Sequence, residues 1–425
     1  MLSTSVATLW RRATNLNSFI GQVSLTMATN VIVAGFGILT GILAARLLGP
    51  EGRGELAAIV LWGTQIATFA MLGIDVAIVF FVSRFPERLG SYLGSAQFLS
   101  LVSGAGFVIL GWLAMPFLLA SQNAQVIFAA QIFLPGMILA YALGGLPHQM
   151  LRAVGAWRAW NLVRLSLPLS WAMLLGVASV VSIWATSTKL MVLYLLTYVV
   201  MTAVSILATW GFLKRSRLKI ERALFAPLLR YGLPCMLTVF PYTMNLRLDQ
   251  LLMATLLPSR ELGLYVVAVA WSGASVPVLN SVGPVLFPKL SALREDSHRK
   301  ALVGRTLTLL GITNVILTLL TLLATPFVIP FLFGSDYAPA VLPAAVLVLA
   351  NMFNSMNLLL QDILRGLGSP RPVLVAETVG LIVTLVLLVI LLPLYGMVGA
   401  AIASLGAYAA ISIALFLPLR RGIFK

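Results

Sequence analysis

Apolar residues fill this chain in long runs, and short clusters of charge, glycine and proline interrupt them at near-regular intervals. A helix needs roughly 20 apolar residues to cross the hydrocarbon layer, so each run is long enough for one crossing. The interruptions divide the chain into twelve spans, near 20–46, 55–82, 93–119, 124–147, 160–185, 190–213, 231–257, 263–288, 304–333, 338–364, 373–394 and 396–419. The pattern predicts an all-α polytopic membrane protein.

The pattern is also written twice. Leu47, Leu48, Gly54, Val60 and Trp62 return 209 positions later as Leu256, Leu257, Gly263, Val269 and Trp271. Further along, Leu151, Arg152 and Gly155 return 213 positions later as Leu364, Arg365 and Gly368. Two pseudo-symmetric six-helix lobes around a central lumen are therefore expected: 1–213 with spans one to six, a cytoplasmic linker at 214–230, and 231–425 with spans seven to twelve. Repeated bundles of this kind place a substrate site near the bilayer midplane, between the repeats. Transport is the first functional reading, and a chain that encloses its own lumen is expected to act as a monomer.

Composition agrees. Sixty per cent of the residues are hydrophobic and 9% charged, where a soluble domain carries about 25% charged residues. The net charge of +16 would suggest nucleic acid in a soluble chain, but its distribution points to topology instead. Of 28 Lys and Arg, all but five fall on the face that holds the N-terminus. The other face keeps Arg46, Arg53, Lys189 and Arg260, and Arg247 stands inside a span. The positive-inside rule then puts both termini in the cytoplasm. The first apolar stretch is too long for a signal-peptide core and reads as an uncleaved helix. Cys235, the single cysteine, excludes an internal disulfide and any cysteine metal cluster. The inferred outer loops leave no room for a soluble catalytic domain, so no enzyme is expected.

The linker, rich in Lys and Arg from Lys214 to Arg230, reads either as an amphipathic helix on anionic headgroups or as a solvated connection. Trp10, Trp112, Trp157, Trp160, Trp184 and Trp210 lie near span ends, as interfacial anchors do. Pro234 and Pro241 in span seven, Pro277 and Pro284 in span eight, and Pro326 and Pro330 in span nine mark helices able to bend.

Candidate chemistry lies where charge enters the membrane, at a cost of about 2.5–3.5 kcal/mol per residue at a helix centre. In span seven, Arg247 and Asp249 are about 200° apart around a helix and cannot share a face. Arg247 is a candidate ligand for an anion, and Asp249 a candidate proton or cation site or a partner for an arginine. Structural pairing with neighbouring helices is the competing explanation. Overlaying the repeats sets Arg164 of span five against Glu377 of span eleven, which could close a cytoplasmic gate or simply snorkel. Span ten carries Asn351, Asn354, Ser355, Gln361 and Asp362 as one polar stripe that continues to Arg365. Such a stripe suits a hydroxyl-rich ligand, and equally helix-to-helix hydrogen bonding. Trp62 and Trp271, equivalent in the two repeats, could stack on sugar rings or pack the repeats together.

These residues resemble the polysaccharide transporters of the multidrug, oligosaccharidyl-lipid and polysaccharide exporter superfamily, the Wzx-type flippases. The strongest local element runs from Ala45 to Gly54, with Arg46, Gly49, Pro50 and Gly54 as in that family's signature connection. Arg247 and Asp249, followed by Leu262, Gly263 and Tyr265, resemble its acidic residue and Leu-Gly-x-Tyr turn. The resemblance implies two six-helix lobes around a cationic lumen. It further implies movement of an undecaprenyl-diphosphate-linked oligosaccharide to the periplasmic leaflet of a bacterial inner membrane. Arg247 and Arg164 would then hold diphosphate, Asn351, Asn354, Gln361, Trp62 and Trp271 would face glycan, and Asp249, Glu377 and Asp362 would couple or gate. A polysaccharide polymerase and chain-length proteins are the implied partners, and a coupling proton or sodium ion is the only small cofactor expected. Span one carries Gln22 and Asn30 but no deep cation, and the two further C-terminal helices of lipid II flippases have no counterpart, so lipid II itself is less expected. A cation-coupled drug exporter of the same superfamily is the main rival. A major-facilitator transporter fits poorly, because the turn from Ser83 to Gly90 lacks that group's Gly-x-x-x-Asp-Arg pattern.

Overall fold

A computed structural model of the protein describes residues 19–276, 296–367 and 371–423, with Leu279, Leu286 and Ser369. Trp10, Arg11, Arg12, Pro277, Pro284, Lys289, Arg294, Gly368 and Lys425 lie outside the described residues. Helices account for the regular structure: α1 (Phe19–Ala70), α2 (Ile74–Arg84), α3 (Leu89–Leu118), α4 (Ala124–Ala140), α5 (Leu146–Ala153), α6 (Trp157–Val180), α7 (Ser187–Arg215), α8 (Phe225–Asn245), α9 (Leu248–Leu256), α10 (Ser259–Ser272), α11 (Asp296–Phe333), α12 (Val341–Gly366) and α13 (Arg371–Ile423). Hydrocarbon offers backbone amides no partner, so a spanning segment must satisfy them internally, as a helix does. Among the described residues, nine helical stretches are long and apolar enough to cross a membrane. Two of these, of 47 and 49 residues, are each long enough for two crossings. Each is broken by a glycine in the left-handed region, Gly49 at φ 65° and Gly396 at φ 53°. Those breaks coincide with the expected connections between spans one and two and between eleven and twelve. The fold class inferred from the apolar runs is thus the observed one.

Among the described residues, spans two and seven break where the sequence predicts continuity, and α10 ends at Ser272 within span eight. Span two stops at Ala70 and resumes at Ile74, with Gly73 at φ 71°. A Cβ on Gly73 would lie 2.2 Å from the carbonyl oxygen of Gly232, so the break lets two backbones meet. Span seven breaks at Leu246 and Arg247, between α8 and α9, rather than at Pro234 or Pro241. In span nine, α11 runs unbroken through Pro326 and Pro330.

By packing, the chain divides into two compact units. Unit 1 comprises residues up to Thr40, Trp62–Pro116 and Ala124–Leu237, and unit 2 comprises Gly41–Leu61, Phe117–Asn123 and the chain from Thr238 onward. Ile74, Ile78, Val82, Leu93, Leu146 and Leu228 build a core in unit 1. In unit 2, Val303, Leu360, Ile363, Leu364, Ile411 and Leu415 do the same. Phe117, Val180, Leu207, Phe327 and Phe331 are exposed, as residues meeting lipid tails would be.

The repeat is visible inside unit 2 as a reciprocal contact. A Cβ on Gly54 would lie 1.7 Å from the Ser259 carbonyl oxygen, and one on Gly263 would lie 1.8 Å from that of Pro50. Gly54 and Gly263 are repeat equivalents, and so are Pro50 and Ser259. Around this crossing the polar contacts also recur. The Arg46 guanidinium donates to the carbonyl oxygens of Phe331 and Leu332, and Thr255, its equivalent, donates to that of Leu118. Tyr337 donates to the Ala45 carbonyl, and Gln122 to that of Ala254. Each contact supplies a donor to carbonyls near a helix end, which lack intrahelical partners.

The linker is neither an amphipathic helix nor fully solvated. Ser216 to Glu221 runs extended across the Gly90 and Gly94 face of α3. The Gly90 N–H donates to Ser216 Oγ at 2.9 Å, the Glu221 N–H donates to Ser95 Oγ at 2.9 Å, and Arg88 pairs with Glu221 at 2.5 Å. A Cβ on Gly94 would stand 2.6 Å from the Lys219 carbonyl oxygen. Gly94→Val should therefore detach this strap, seen as rapid trypsin cleavage at Arg217 and Lys219. The Glu221 carboxyl is held below its usual value by the Ser91 hydroxyl and the Arg88 guanidinium. With the folded value depressed, its contribution is present above the unfolded value of about 4.3 and disappears as pH falls through the folded one. Cleavage of the wild-type strap by an acid-active protease should accelerate over that acidic window, and an unchanged rate would remove Glu221 as a fastener.

Candidate functional site

The break in span seven places Arg247 and Asp249 in different surroundings. Arg247 is the residue before α9, is exposed, and makes no side-chain hydrogen bond among the described residues. Asp249 lies in the first turn of α9 and is buried. Its Oδ2 accepts from Tyr265 of α10 at 2.6 Å and Ser404 of α13 at 3.3 Å, while Oδ1 accepts from the Gln250 N–H at 2.7 Å. Helix N-termini also favour a negative charge. The two residues do not share a face, as their spacing predicts.

A second carboxylate is built from α8, α12 and α13. Glu377 accepts from Gln361 Nε2 at 2.7 Å on one oxygen and from Asn245 Nδ2 at 2.9 Å on the other. Thr384 donates to Asn245 Oδ1 at 3.3 Å, and Arg365 donates to Gln361 Oε1 at 3.2 Å. Asp362 faces the same Arg365 at 3.5 Å. Neutral donors around a carboxylate favour its charged form without a fixed counter-ion. Among the described residues, no group of three His, Cys, Asp or Glu is arranged to hold a metal.

The stripe on span ten divides between two tasks. Gln361 joins the Glu377 network, whereas Asn351 donates to Ser272 Oγ at 3.1 Å and Asn354 stays half-buried. Trp271 donates its indole N–H to Thr325 at 2.9 Å and so ties α10 to α11. In unit 1, Trp62 is half-buried, with its indole N–H lacking a hydrogen-bond partner among the described residues. Arg164 donates to Asn30 Oδ1 at 2.5 Å and lies 4.7 Å over the Trp160 ring. Arg164 and Glu377 are thus each engaged within their own unit. Of the signature residues, Arg46 caps α11, Gly49 makes the left-handed break, and Pro50 and Gly54 form the helix crossing.

The sequence carries no signal for Ser404 and Thr384, the hydroxyls that help hold the acids, and Asp75 was not among its candidates. Asp75 sits in α2 just after the break in span two. Its signal was available, since it is a lone carboxylate within an apolar run.

Long apolar helices enclosing buried acids held by neutral donors define a polytopic helical membrane protein. The chain belongs to the polysaccharide biosynthesis protein family, whose model matches residues 20–294. In fold it is similar to the lipid II flippase MurJ in an inward closed conformation, with a TM-score of 0.76 and 15% identity over 92% of this chain and 87% of that one. It is similar also to a multidrug resistance MATE family transporter of the MOP superfamily, in an inward-facing conformation. There the TM-score is 0.64 at 15% identity, over 98% of each chain. An uncharacterised membrane protein of Methanocaldococcus jannaschii is 32% identical over 131 residues, which are 30% of this chain. The match spans 26% of that relative's length.

Proposed function

We propose that the protein moves a polyprenyl-diphosphate-linked oligosaccharide from the cytoplasmic to the outer leaflet of a bacterial inner membrane by alternating access. The observation that carries this reading is Arg247, an exposed guanidinium at a break in a membrane helix. Membership of a polysaccharide biosynthesis family supports a glycan cargo. A guanidinium presents a planar set of donors that matches phosphate oxygens. Arg164, stacked on Trp160 in unit 1, is a second diphosphate candidate. Asn351 and Asn354, with Trp62 and Trp271, supply amides and aromatic faces suited to sugars, while Gln361 is spent on Glu377 and Arg365. The reading makes a polysaccharide polymerase and chain-length proteins the consumers of the product.

Purified protein in proteoliposomes should transfer a fluorescent polyprenyl-diphosphate-linked glycan and leave a cationic dye in place. Efflux of the dye without glycan transfer would instead favour the drug-exporter reading, for which Asp249 is the supporting residue. Asp249 and Glu377 are the candidate coupling groups, taking a proton or a sodium ion. Glu377→Gln keeps the side chain's shape and removes its charge. It should lower transfer driven by an imposed proton or sodium gradient about tenfold, roughly 1.4 kcal/mol, while gradient-free exchange persists. An unaltered gradient response would take Glu377 out of coupling.

A further inference from the structure

Two irregular stretches of backbone converge on one cavity in unit 1. In span two, Leu72 at φ 49° and Gly73 at φ 71° separate α1 from α2. In span four, Tyr141–Gly145 forms a π turn between α4 and α5. Non-helical backbone at membrane depth is tolerated where it is buried in protein or lines a cavity, and π turns gather at functional sites. A non-glycine residue in the left-handed region also stores strain that the surroundings must hold in place. Met71 and Asp75 from the first irregularity, and Tyr141 and Gly145 from the second, line one half-open cavity of about 270 Å3.

The size and lining of this space select a ligand. One water occupies about 30 Å3 of liquid, so a bare ion or a single water leaves most of the cavity unfilled. The volume lies just below the range of drug-sized pockets and suits one small ring. Its wall is mostly apolar, and its polar points are Thr68, Asp75, Tyr141, Tyr198, His148 and Gln149. The rings of Tyr141 and Tyr198 stand 6.1 Å apart and are tilted by 47°. Those rings offer faces to the C–H groups of a saturated ring, while the carboxylate, imidazole and amide can bond its hydroxyls. No Lys or Arg lines the space and one carboxylate does, which disfavours a ligand bearing its own carboxylate.

The cavity also adjoins a cation. The His148 ring stacks on Trp160 at 5.7 Å, and the guanidinium of Arg164 lies 4.7 Å from the same indole. One aromatic side chain therefore links the cavity wall to a group suited to phosphate. We infer that this cavity is a sugar subsite, which takes one uncharged pyranose ring of the cargo beside a diphosphate held at Arg164. The inference rests on the lipid-linked glycan reading and adds a specificity to it: neutral rings are accepted and uronic acids are not.

The test uses the full chain in nanodiscs and three calorimetric probes: farnesyl diphosphate, the same diphosphate bearing N-acetylglucosamine, and the same bearing glucuronic acid. The N-acetylglucosamine probe should bind at least tenfold more tightly than the bare diphosphate, and the glucuronic acid probe no more tightly than it. Asp75→Asn, which removes the charge, and Leu167→Trp, which fills the space from α6, should each erase the tenfold gain. Neither should change the affinity for bare diphosphate. Survival of the gain in both variants, or an equal gain with glucuronic acid, overturns the subsite. Diphosphate binding without any gain from the neutral sugar overturns the subsite alone and leaves the carrier reading standing. Failure of all three probes to bind overturns both. Should Asp75→Asn fail to fold, Leu167→Trp still decides the question, because it leaves every polar group of the cavity in place.

Discussion

Arg247→Ala should reduce transfer of a fluorescent polyprenyl-diphosphate-linked glycan to the rate of protein-free liposomes. The side chain is exposed and makes no hydrogen bond among the described residues, so its removal leaves the fold intact. Elution profile and melting temperature should stay at wild-type values. Charge-assisted hydrogen bonds are about twice as strong as neutral ones, and a diphosphate entering a low-dielectric site needs them to offset its lost hydration. Arg247→Lys keeps the charge but loses the planar fork, and should transfer at an intermediate rate. Wild-type transfer by Arg247→Ala would remove this residue from cargo binding.

The second large effect is expected at the crossing of the repeats. Gly54→Val and Gly263→Val should each yield little monodisperse protein in detergent. An added Cβ at either position meets a backbone carbonyl oxygen at under 2 Å, and a backbone cannot rotate away as a side chain can. Overpacking typically costs about 1–3 kcal/mol, and a backbone collision lies at the upper end or beyond. Because the contact is reciprocal, the two variants should fail alike. Gly37→Ala and Gly37→Val provide the contrast, since a Cβ added there meets nothing within 4 Å. Normal yield from Gly54→Val would mean that the crossing adjusts by helix displacement and has little bearing on stability.

Some of this was legible in the sequence and some was not, for physical reasons. Long apolar runs fix helices because the bilayer permits little else, and Gly49 and Gly396 fell at the expected connections. The break after Ala70 was hidden, because it depends on Gly73 meeting Gly232, a residue in a different helix. Arg247, Asp249 and Glu377 stood out as charges in apolar surroundings. Their partners Ser404 and Thr384 did not, since hydroxyls are ordinary in membrane helices. Arg164 and Glu377 are repeat equivalents, and the structure gives each a neutral partner within its own unit, Asn30 for the arginine and Asn245 with Gln361 for the acid. Linear spacing of Met71, Asp75, Tyr141 and His148 carries no hint of one shared cavity.

The crossing of Gly54 with Gly263 also sets a timetable for biogenesis. Pro50 to Gly54 leaves the ribosome 209 residues ahead of its counterpart. At about 5–20 residues per second, the early glycine waits roughly 10–40 s before its mate is made. Throughout that interval the Gly41–Leu61 segment, which belongs to unit 2, has only part of its own unit to fold against. A nascent chain arrested in the linker should therefore expose this hairpin to an added protease, and release of the arrest past Gly263 should protect it.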